Sequence, residues 1–305
     1  MRLGFVTACL PEASLGELAQ WAAADGFDSL EVSAWPRNGP GAGPSHLDPS
    51  DFAGGAEDEV RQILSDTGVT ISALGYYENN LHYDPDRRSQ IHEHLKRCVD
   101  AASRLDLASV GTFIGRDVTK SVAENLTVAE RVLLPLVEYA GERGVTLAVE
   151  NCPMEGWHPD GYPGNLAYSP ELWEWMFAMG FKLNYDPSHL VWLGIDPAEA
   201  LLPYVSNLAL VQAKDTEIDV AARNRFGVFG KTIGRDSEWD VGWWRYRVPG
   251  RGSVDWRRVV DILHEGGYTG DVSVEHEDPV WGGEPQRVQE GLRIARETLR
   301  PLMRG

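Results

Sequence analysis

Short apolar runs alternate with amphipathic stretches along the whole chain. Eight of these runs have the length and composition of buried strands. They are LGFVTA (3–8), SLEVSA (29–34), VTISALGY (69–76), ASVGTFIG (108–115), VTLAVEN (145–151), KLNYDP (182–187), NLALVQAKD (207–215) and DVSVEHE (271–277). The stretches between them, such as LGELAQWAAADG and HEHLKRCVDAASRL, have helical periodicity. Several end at a glycine just before the next strand, which is a common helix C-terminal signal.

Eight strands, each followed by a helical or helix-compatible segment, are the repeat of a (β/α)8 TIM barrel. The pattern therefore predicts an α/β protein with one barrel domain over residues 1–305. A doubly wound open sheet is the competing architecture, but it usually carries a glycine-rich phosphate loop after its first strand. Here that position reads TACLPEAS, without a glycine fingerprint, which favours the barrel.

Two connections are long, and both follow predicted strands. Residues 152–168 come after the fifth strand and residues 216–254 after the seventh, where a barrel builds its active-site face. Both segments are rich in aromatic residues: Trp157, Tyr162, Tyr168, Phe226, Phe229, Trp239, Trp243, Trp244 and Tyr246. Stacked aromatic rings suit the floor of a sugar site, but a homo-oligomer interface would use the same residues. The sequence leaves both interpretations open.

Oxygen-bearing side chains stand at the ends of the last four predicted strands. They are Glu150, Asp186, Gln212 and Glu275. In a barrel these ends meet at one mouth, and three carboxylates in a small volume cannot all stay ionised without a cation. The pattern therefore predicts a divalent metal ion, and an enzyme that uses it. A donor set made only of oxygen atoms favours Mn²⁺ or Mg²⁺ over Zn²⁺.

Composition and charge limit the classes of molecule that we expect this protein to bind. With 43% hydrophobic and 24% charged residues the chain can bury a sizeable core. A formal net charge of −18 argues against a protein that grips nucleic-acid phosphates, and fits a neutral small substrate or a cation. Three cysteines without a CxxC pair indicate neither a disulfide framework nor a zinc knuckle. No signal peptide or membrane span is evident, so we expect a cytoplasmic protein.

Four segments of the chain form a recognisable set: NYDPSH, VQAKD as a variant of VHxKD, VPGRGSVDW and SVEHED. Together they resemble the xylose-isomerase-like TIM-barrel superfamily, which holds sugar isomerases, ketose 3-epimerases, inosose dehydratases and, more distantly, endonuclease IV. The resemblance implies that Glu150, Asp186, Gln212 and Glu275 bind one divalent metal. It also implies that His189 and Arg247 contact the substrate. Gln212 departs from the family pattern, which has histidine there, so either the metal site is retuned or Gln212 does not ligate and water takes its place.

Four more residues are secondary candidates. His82, after the third strand, and Trp157 and His158, after the fifth, lie on the predicted active-site face and are candidate substrate contacts. Lys214 follows Gln212 on the seventh strand, where a catalytic role competes with a structural ion pair elsewhere in the barrel.

The function that we expect is isomerisation or epimerisation of an unphosphorylated sugar or polyol by proton transfer next to a carbonyl. The metal would stabilise an enediolate, with Glu150 and Glu275 as base and acid. Loss of a β-substituent from the same intermediate would give a lyase or dehydratase acting on 3-keto sugars, glycosides or inososes, which is the main alternative. A non-catalytic sugar-binding barrel and a nuclease resembling AP endonucleases are weaker alternatives.

Overall fold

The computed structural model describes residues 1–158, 163–236 and 240–304, and in this part of the chain eight parallel strands close into a barrel, as predicted. The strands are β1 (Arg2–Val6), β2 (Ser29–Ser33), β3 (Thr70–Gly75), β4 (Ser109–Thr112), β5 (Thr146–Glu150), β6 (Lys182–Tyr185), β7 (Leu208–Ala213) and β10 (Asp271–Val274). Neighbouring barrel strands follow the chain order, and β10 closes the ring between β7 and β1. Seven of the eight barrel strands lie within their predicted runs, β1 begins one residue before its run at Arg2, and every strand ends earlier than predicted.

Helices follow the strands and cover the outside of the barrel. The described helices are α1 (Leu15–Asp25), α2 (Ala56–Thr67), α3 (Pro85–Arg104), α4 (Val122–Gly141), α5 (Pro170–Ala178), α6 (Pro187–Leu193), α7 (Pro197–Leu201), α8 (Val220–Phe226), α9 (Trp256–Glu265) and α10 (Pro285–Leu299). Capping boxes at Ser14 and Ser121 fix the starts of α1 and α4, and Gly26 ends α1 in the left-handed conformation at φ 78°. In the described part of the chain, every helix falls short of the length and apolarity that crossing a membrane requires.

The main apolar core lies between the strands and the helices, as the alternation of side chains along a strand requires. Outward residues of the strands, such as Leu3, Phe5 and Leu30, are fully buried against helical residues such as Leu18 and Ala22. The other face of each strand lines the barrel interior, where a small separate cluster contains Ala73, Ala148 and Leu210. Towards the C-terminal ends of the strands the interior becomes polar, and this change of character positions the candidate site.

The long segment after β7 is more regular than the predicted loop. It contains β8 (Asp215–Ile218), which pairs antiparallel with β9 (Trp244–Arg247), and α8 between them. The hairpin carries Tyr246 back towards the barrel mouth. The segment after β5 contains a short 3₁₀ turn, Glu155–Trp157. Two of the aromatic residues singled out in these segments, Tyr162 and Trp239, lie outside the described residues.

Candidate metal centre

Three carboxylates meet at the C-terminal mouth of the barrel. Glu150 is the last residue of β5, and Asp186 and Glu275 directly follow β6 and β10. One oxygen from each of the three lies within 4.8 Å of the others. The side chains of Glu150 and Asp186 are only 3% and 0% exposed, whereas that of Glu275 is 19% exposed. The arrangement has the donor chemistry of a divalent-cation site with one side open to solvent.

Asp186 is held by the helix that follows it. Its Oδ1 accepts a hydrogen bond from the backbone N of Ser188 at 2.8 Å and caps α6. Burial alone would raise the pKa of Asp186, but Lys214 and His189 lower it to about 2. The Asp186 carboxylate is therefore ionised at neutral pH. Its second oxygen, Oδ2, is buried and accepts no well-directed hydrogen bond, but it lies 3.3 Å from both His189 Nε2 and Lys214 Nζ, so positive groups already face it.

Gln212 faces the barrel interior, close to the carboxylates. Its Nε2 donates to Glu31 Oε1 at 2.9 Å and to Tyr77 Oη at 3.1 Å. Its Oε1 is buried and has no hydrogen-bond partner in the described part of the chain. An orphaned acceptor on the strand between β6 and β10 fits a bound cation, because such a group is otherwise costly to bury. Glu150, Asp186, Glu275 and Gln212 could thus hold a divalent metal through oxygen alone.

Lys214 lies inside the acidic centre, which excludes one of its two alternatives, a structural ion pair elsewhere in the barrel. Its Nζ is 2.6 Å from Glu275 Oε2, 2.9 Å from Glu277 Oε2 and 3.3 Å from Asp186 Oδ2. Burial would lower the pKa of Lys214, but Glu275, Glu277 and Asp186 raise it well above its ordinary value. A signal was available in the sequence: Lys214 stands two residues after Gln212, so strand alternation puts both side chains on one face.

The charge balance of the centre matches a divalent cation. Glu150, Asp186, Glu275 and Glu277 bring four negative charges when ionised, and Lys214 and a protonated His189 return two positive charges. Two negative charges remain, which one divalent ion would neutralise. Burial raises the pKa of Glu275, and Glu150 and Glu277 raise it further although Lys214 opposes them. Without a metal, therefore, Glu275 takes up a proton more readily than an ordinary glutamate.

His189 joins the carboxylates from α6. Its Nε2 lies 3.0 Å from Glu150 Oε1 and 3.3 Å from Asp186 Oδ2, and its Nδ1 lies 2.8 Å from Tyr246 Oη. Burial would lower the pKa of His189, but the acidic groups around it, Asp186 among them, raise it well above the ordinary value. The imidazole, Tyr246 and Glu150 thus form a continuous hydrogen-bonded chain. Sequence reasoning did not single out Tyr246 for this position, because β9 comes from the long segment after β7.

Arg247, a predicted substrate contact, is occupied by protein carboxylates. Its Nε donates to Asp278 Oδ2 at 2.9 Å and its Nη1 pairs with Glu217, and only 12% of its side chain is exposed. These ion pairs tie the β8–β9 hairpin to the loop after β10. The structure therefore gives Arg247 the role of a hairpin anchor, which leaves its guanidinium little capacity for a substrate.

The remaining candidates lie on the loops that follow β3 and β5. Trp157 packs edge-on against Phe113 with ring centroids 5.5 Å apart, and Phe113 lies 5.2 Å from the ring of Tyr77. An aromatic row therefore leads from the polar centre to Trp157, with His158 next to it. His82 accepts a hydrogen bond from the backbone N of Asp84 at 3.1 Å, which gives it a local role in starting α3.

Comparison with known proteins agrees with the fold. The profile of a family described as xylose isomerase-like TIM barrel matches residues 19–298. An uncharacterised protein of Bacillus subtilis, YfiH, is 26% identical over 98% of both chains. The inosose dehydratase of Clostridium tetani is 33% identical over 100 residues, which are 32% of this chain and 31% of that protein.

Solved structures show the same architecture at low identity. D-psicose 3-epimerase from Clostridium cellulolyticum, in complex with D-tagatose, has a TM-score of 0.69 and 17% identity, with 100% of both chains covered. The IolI protein with a bound zinc atom has a TM-score of 0.70 and 18% identity, with 99% of this chain and 98% of that chain covered.

Proposed function

The chain belongs to the xylose isomerase-like TIM-barrel family, and from that premise we propose that it is a divalent-metal-dependent isomerase or epimerase of an unphosphorylated sugar or polyol. The observation that carries this proposal is the cluster of Glu150, Asp186 and Glu275, with the orphaned amide oxygen of Gln212 on the strand between β6 and β10. An all-oxygen donor set favours Mn²⁺ or Mg²⁺, although one related structure contains zinc.

A divalent cation, when bound, supplies a Lewis acid that polarises the substrate's carbonyl group. The proton transfers belong to the chain itself. Glu275 is the better candidate for the base, because its side chain is 19% exposed and so can reach a substrate C–H. Lys214 holds Glu275 Oε2 at 2.6 Å, which orients the carboxylate.

Glu150 would act on the other face of the substrate. Its hydrogen bond with His189 Nε2 at 3.0 Å gives it a route to receive or supply a proton through the imidazole and Tyr246. Return of the proton to the opposite face of the same carbon gives an epimer, and delivery to the neighbouring carbon gives an isomer. The two glutamates on separate strands, β5 and just after β10, allow either outcome.

The surroundings of the centre favour a substrate without phosphate. Lys214 in the centre and Arg247 in the β8–β9 hairpin are both engaged in ion pairs with protein carboxylates. The centre itself is strongly anionic. On one flank the aromatic row of Tyr77, Phe113 and Trp157 offers apolar ring faces, which suit the C–H faces of a sugar or cyclitol.

A dehydratase acting on an inosose or a keto sugar is the second candidate. The local similarity to inosose dehydratases favours it, since 100 residues align at 33% identity. The first proton abstraction is common to both reactions, but elimination also needs a proton for the departing hydroxyl. Glu275, once it has taken the proton from carbon, can return that proton to the departing hydroxyl, which leaves as water.

Incubating the metal-loaded protein with ketoses, inososes and 3-keto sugars, and identifying products by NMR, tests the proposal. An epimer or isomer with retained mass supports it, whereas loss of water moves the assignment to the dehydratase. Glu150→Gln and Glu275→Gln should each lower turnover at least 100-fold, since each removes one proton-transfer group. A barrel that only binds sugars would show no turnover with any of these substrates.

A further inference from the structure

We infer that Glu31 and Tyr77 are positioning residues that fix the Gln212 amide with its oxygen towards the metal centre. The inference rests on the proposed function, because it concerns the metal that this function requires. It assigns a task to a buried residue of β2 and a partly buried residue of the loop after β3, neither of which takes part in the proton transfers.

The three side chains form one hydrogen-bonded unit. Tyr77 Oη donates to Glu31 Oε1, and Gln212 Nε2 donates both to that same carboxylate oxygen, at 2.9 Å, and to Tyr77 Oη, at 3.1 Å. Asn184 Nδ2 also donates to Tyr77 Oη, at 2.9 Å. Since the tyrosine has given its only proton to Glu31, its oxygen can only accept from Gln212 and Asn184.

The partners of Gln212 on this side are therefore both acceptors. An amide turned the other way would place its oxygen against two acceptor atoms and lose both hydrogen bonds. The network thus selects a single orientation, in which the NH₂ group faces Glu31 and Tyr77. The amide oxygen must then point away from them, and it is the buried Oε1 that finds no donor among the described residues.

The backbone leaves room for Tyr77 to reach this position. A Cβ atom on Gly75 would lie 2.9 Å from Tyr77 Cε2, and one on Gly111 would overlap Tyr77 Oη. Both glycines have ordinary negative φ angles, so space rather than backbone conformation requires them. Gly75 in β3 and Gly111 in β4 thus leave the space that the phenol ring of Tyr77 occupies in the barrel.

A double-mutant cycle on metal affinity tests the inference. Mn²⁺ binding is measured from the EPR signal of the free ion for the wild type, Tyr77→Phe, Gln212→Ala and the double variant, without any substrate. We expect Tyr77→Phe to weaken Mn²⁺ binding about 10-fold or more, as is typical when the residue that orients a ligand is removed. In the Gln212→Ala background the same change should have no further effect, because the ligand that Tyr77 orients is already gone.

Tyr76→Phe is the matched control, since it removes a phenol hydroxyl from the neighbouring buried tyrosine and should leave Mn²⁺ affinity unchanged. Glu31→Leu removes the other acceptor and should weaken Mn²⁺ binding as Tyr77→Phe does, with folding checked by circular dichroism. Unchanged affinity in Tyr77→Phe, or an equal loss in both backgrounds, would overturn the inference. Metal binding with the expected cycle but no turnover on any sugar would refute the proposed function alone. If the wild type binds no metal, both fail.

Discussion

Replacing Lys214 with methionine tests whether its ammonium group is the positive charge that stabilises the acidic centre in the absence of metal. Methionine keeps a long apolar side chain but removes the charge that lies 2.6 Å from Glu275 and 3.3 Å from Asp186. Removing one partner of a buried ion pair costs about 3–5 kcal/mol, because the remaining charge stays buried and unpaired. Glu277 is half exposed, so solvent screens its interaction with Lys214 and that contact contributes little. We therefore expect Lys214→Met to lower the free energy of unfolding by about 3 kcal/mol.

That loss converts into a measurable melting shift. For a chain of 305 residues, an unfolding entropy of about 2.1 cal/mol/K per residue makes 3 kcal/mol worth a drop of about 5 °C. Thermal melts at pH 8 in the presence of a chelator should show this drop. Saturating Mn²⁺ should then stabilise the variant more than the wild type, because the ion restores positive charge among carboxylates that have lost Lys214.

The control for this experiment is Lys182→Met, which removes a lysine whose Nζ donates an exposed hydrogen bond to the backbone oxygen of Ser206, at 3.2 Å. Its melting temperature should stay within about 1 °C of the wild type. A metal-free Lys214→Met protein that melts with the wild type would refute the idea that Lys214 balances the centre.

Three further predictions concern the fold around the site. Asp215 accepts hydrogen bonds from three backbone N–H groups and one indole N–H. Because Asp215→Asn replaces an acceptor oxygen with a donor, it should lower the free energy of unfolding by about 2–4 kcal/mol in urea titrations. A loss under about 0.5 kcal/mol would contradict this prediction. Burial lowers the pKa of His94 in the folded protein, so the contribution of its neutral imidazole to stability is complete above about pH 6.5 and falls as the pH drops below that value. The fall is at most about 1.4 kcal/mol per pH unit. His94→Gln should therefore flatten the dependence of the unfolding free energy on pH between about pH 5 and 7, and an unchanged slope would count against this explanation. Gly111→Ala should displace Tyr77, cost about 1–3 kcal/mol and weaken Mn²⁺ binding, whereas Gly141→Ala, which meets open space, should do neither.

The barrel could be predicted because its strands are local patterns. Runs such as VTLAVEN and DVSVEHE are apolar, short and followed by charged residues, so both the strand and its polar end are visible in one window. Since all parallel strands of a barrel end at the same mouth, the meeting of Glu150, Asp186 and Glu275 follows from topology alone.

The hydrogen-bonded unit of Glu31, Tyr77 and Gln212 could not be predicted from the sequence in the same way. Glu31 and Gln212 are 181 residues apart in sequence, and their hydrogen bond exists only because the barrel closes. Within SLEVSA, Glu31 has the pattern of a polar residue on a half-exposed strand, yet it is fully buried. The β8–β9 hairpin was missed for a different reason, because its strands DTEI and WRYR lack the apolar runs that mark the barrel strands.

We propose that this barrel uses a divalent metal and Glu275 to remove a proton from the carbon next to a substrate carbonyl. The most direct measurement is incorporation of deuterium from D₂O into ketoses and inososes, followed by mass spectrometry after metal loading. We expect deuterium to enter at one carbon next to the carbonyl. This exchange should stop when a chelator removes the metal, and its rate should fall at least about 100-fold in Glu275→Gln. Exchange that persists without metal, or at full rate in Glu275→Gln, would contradict it.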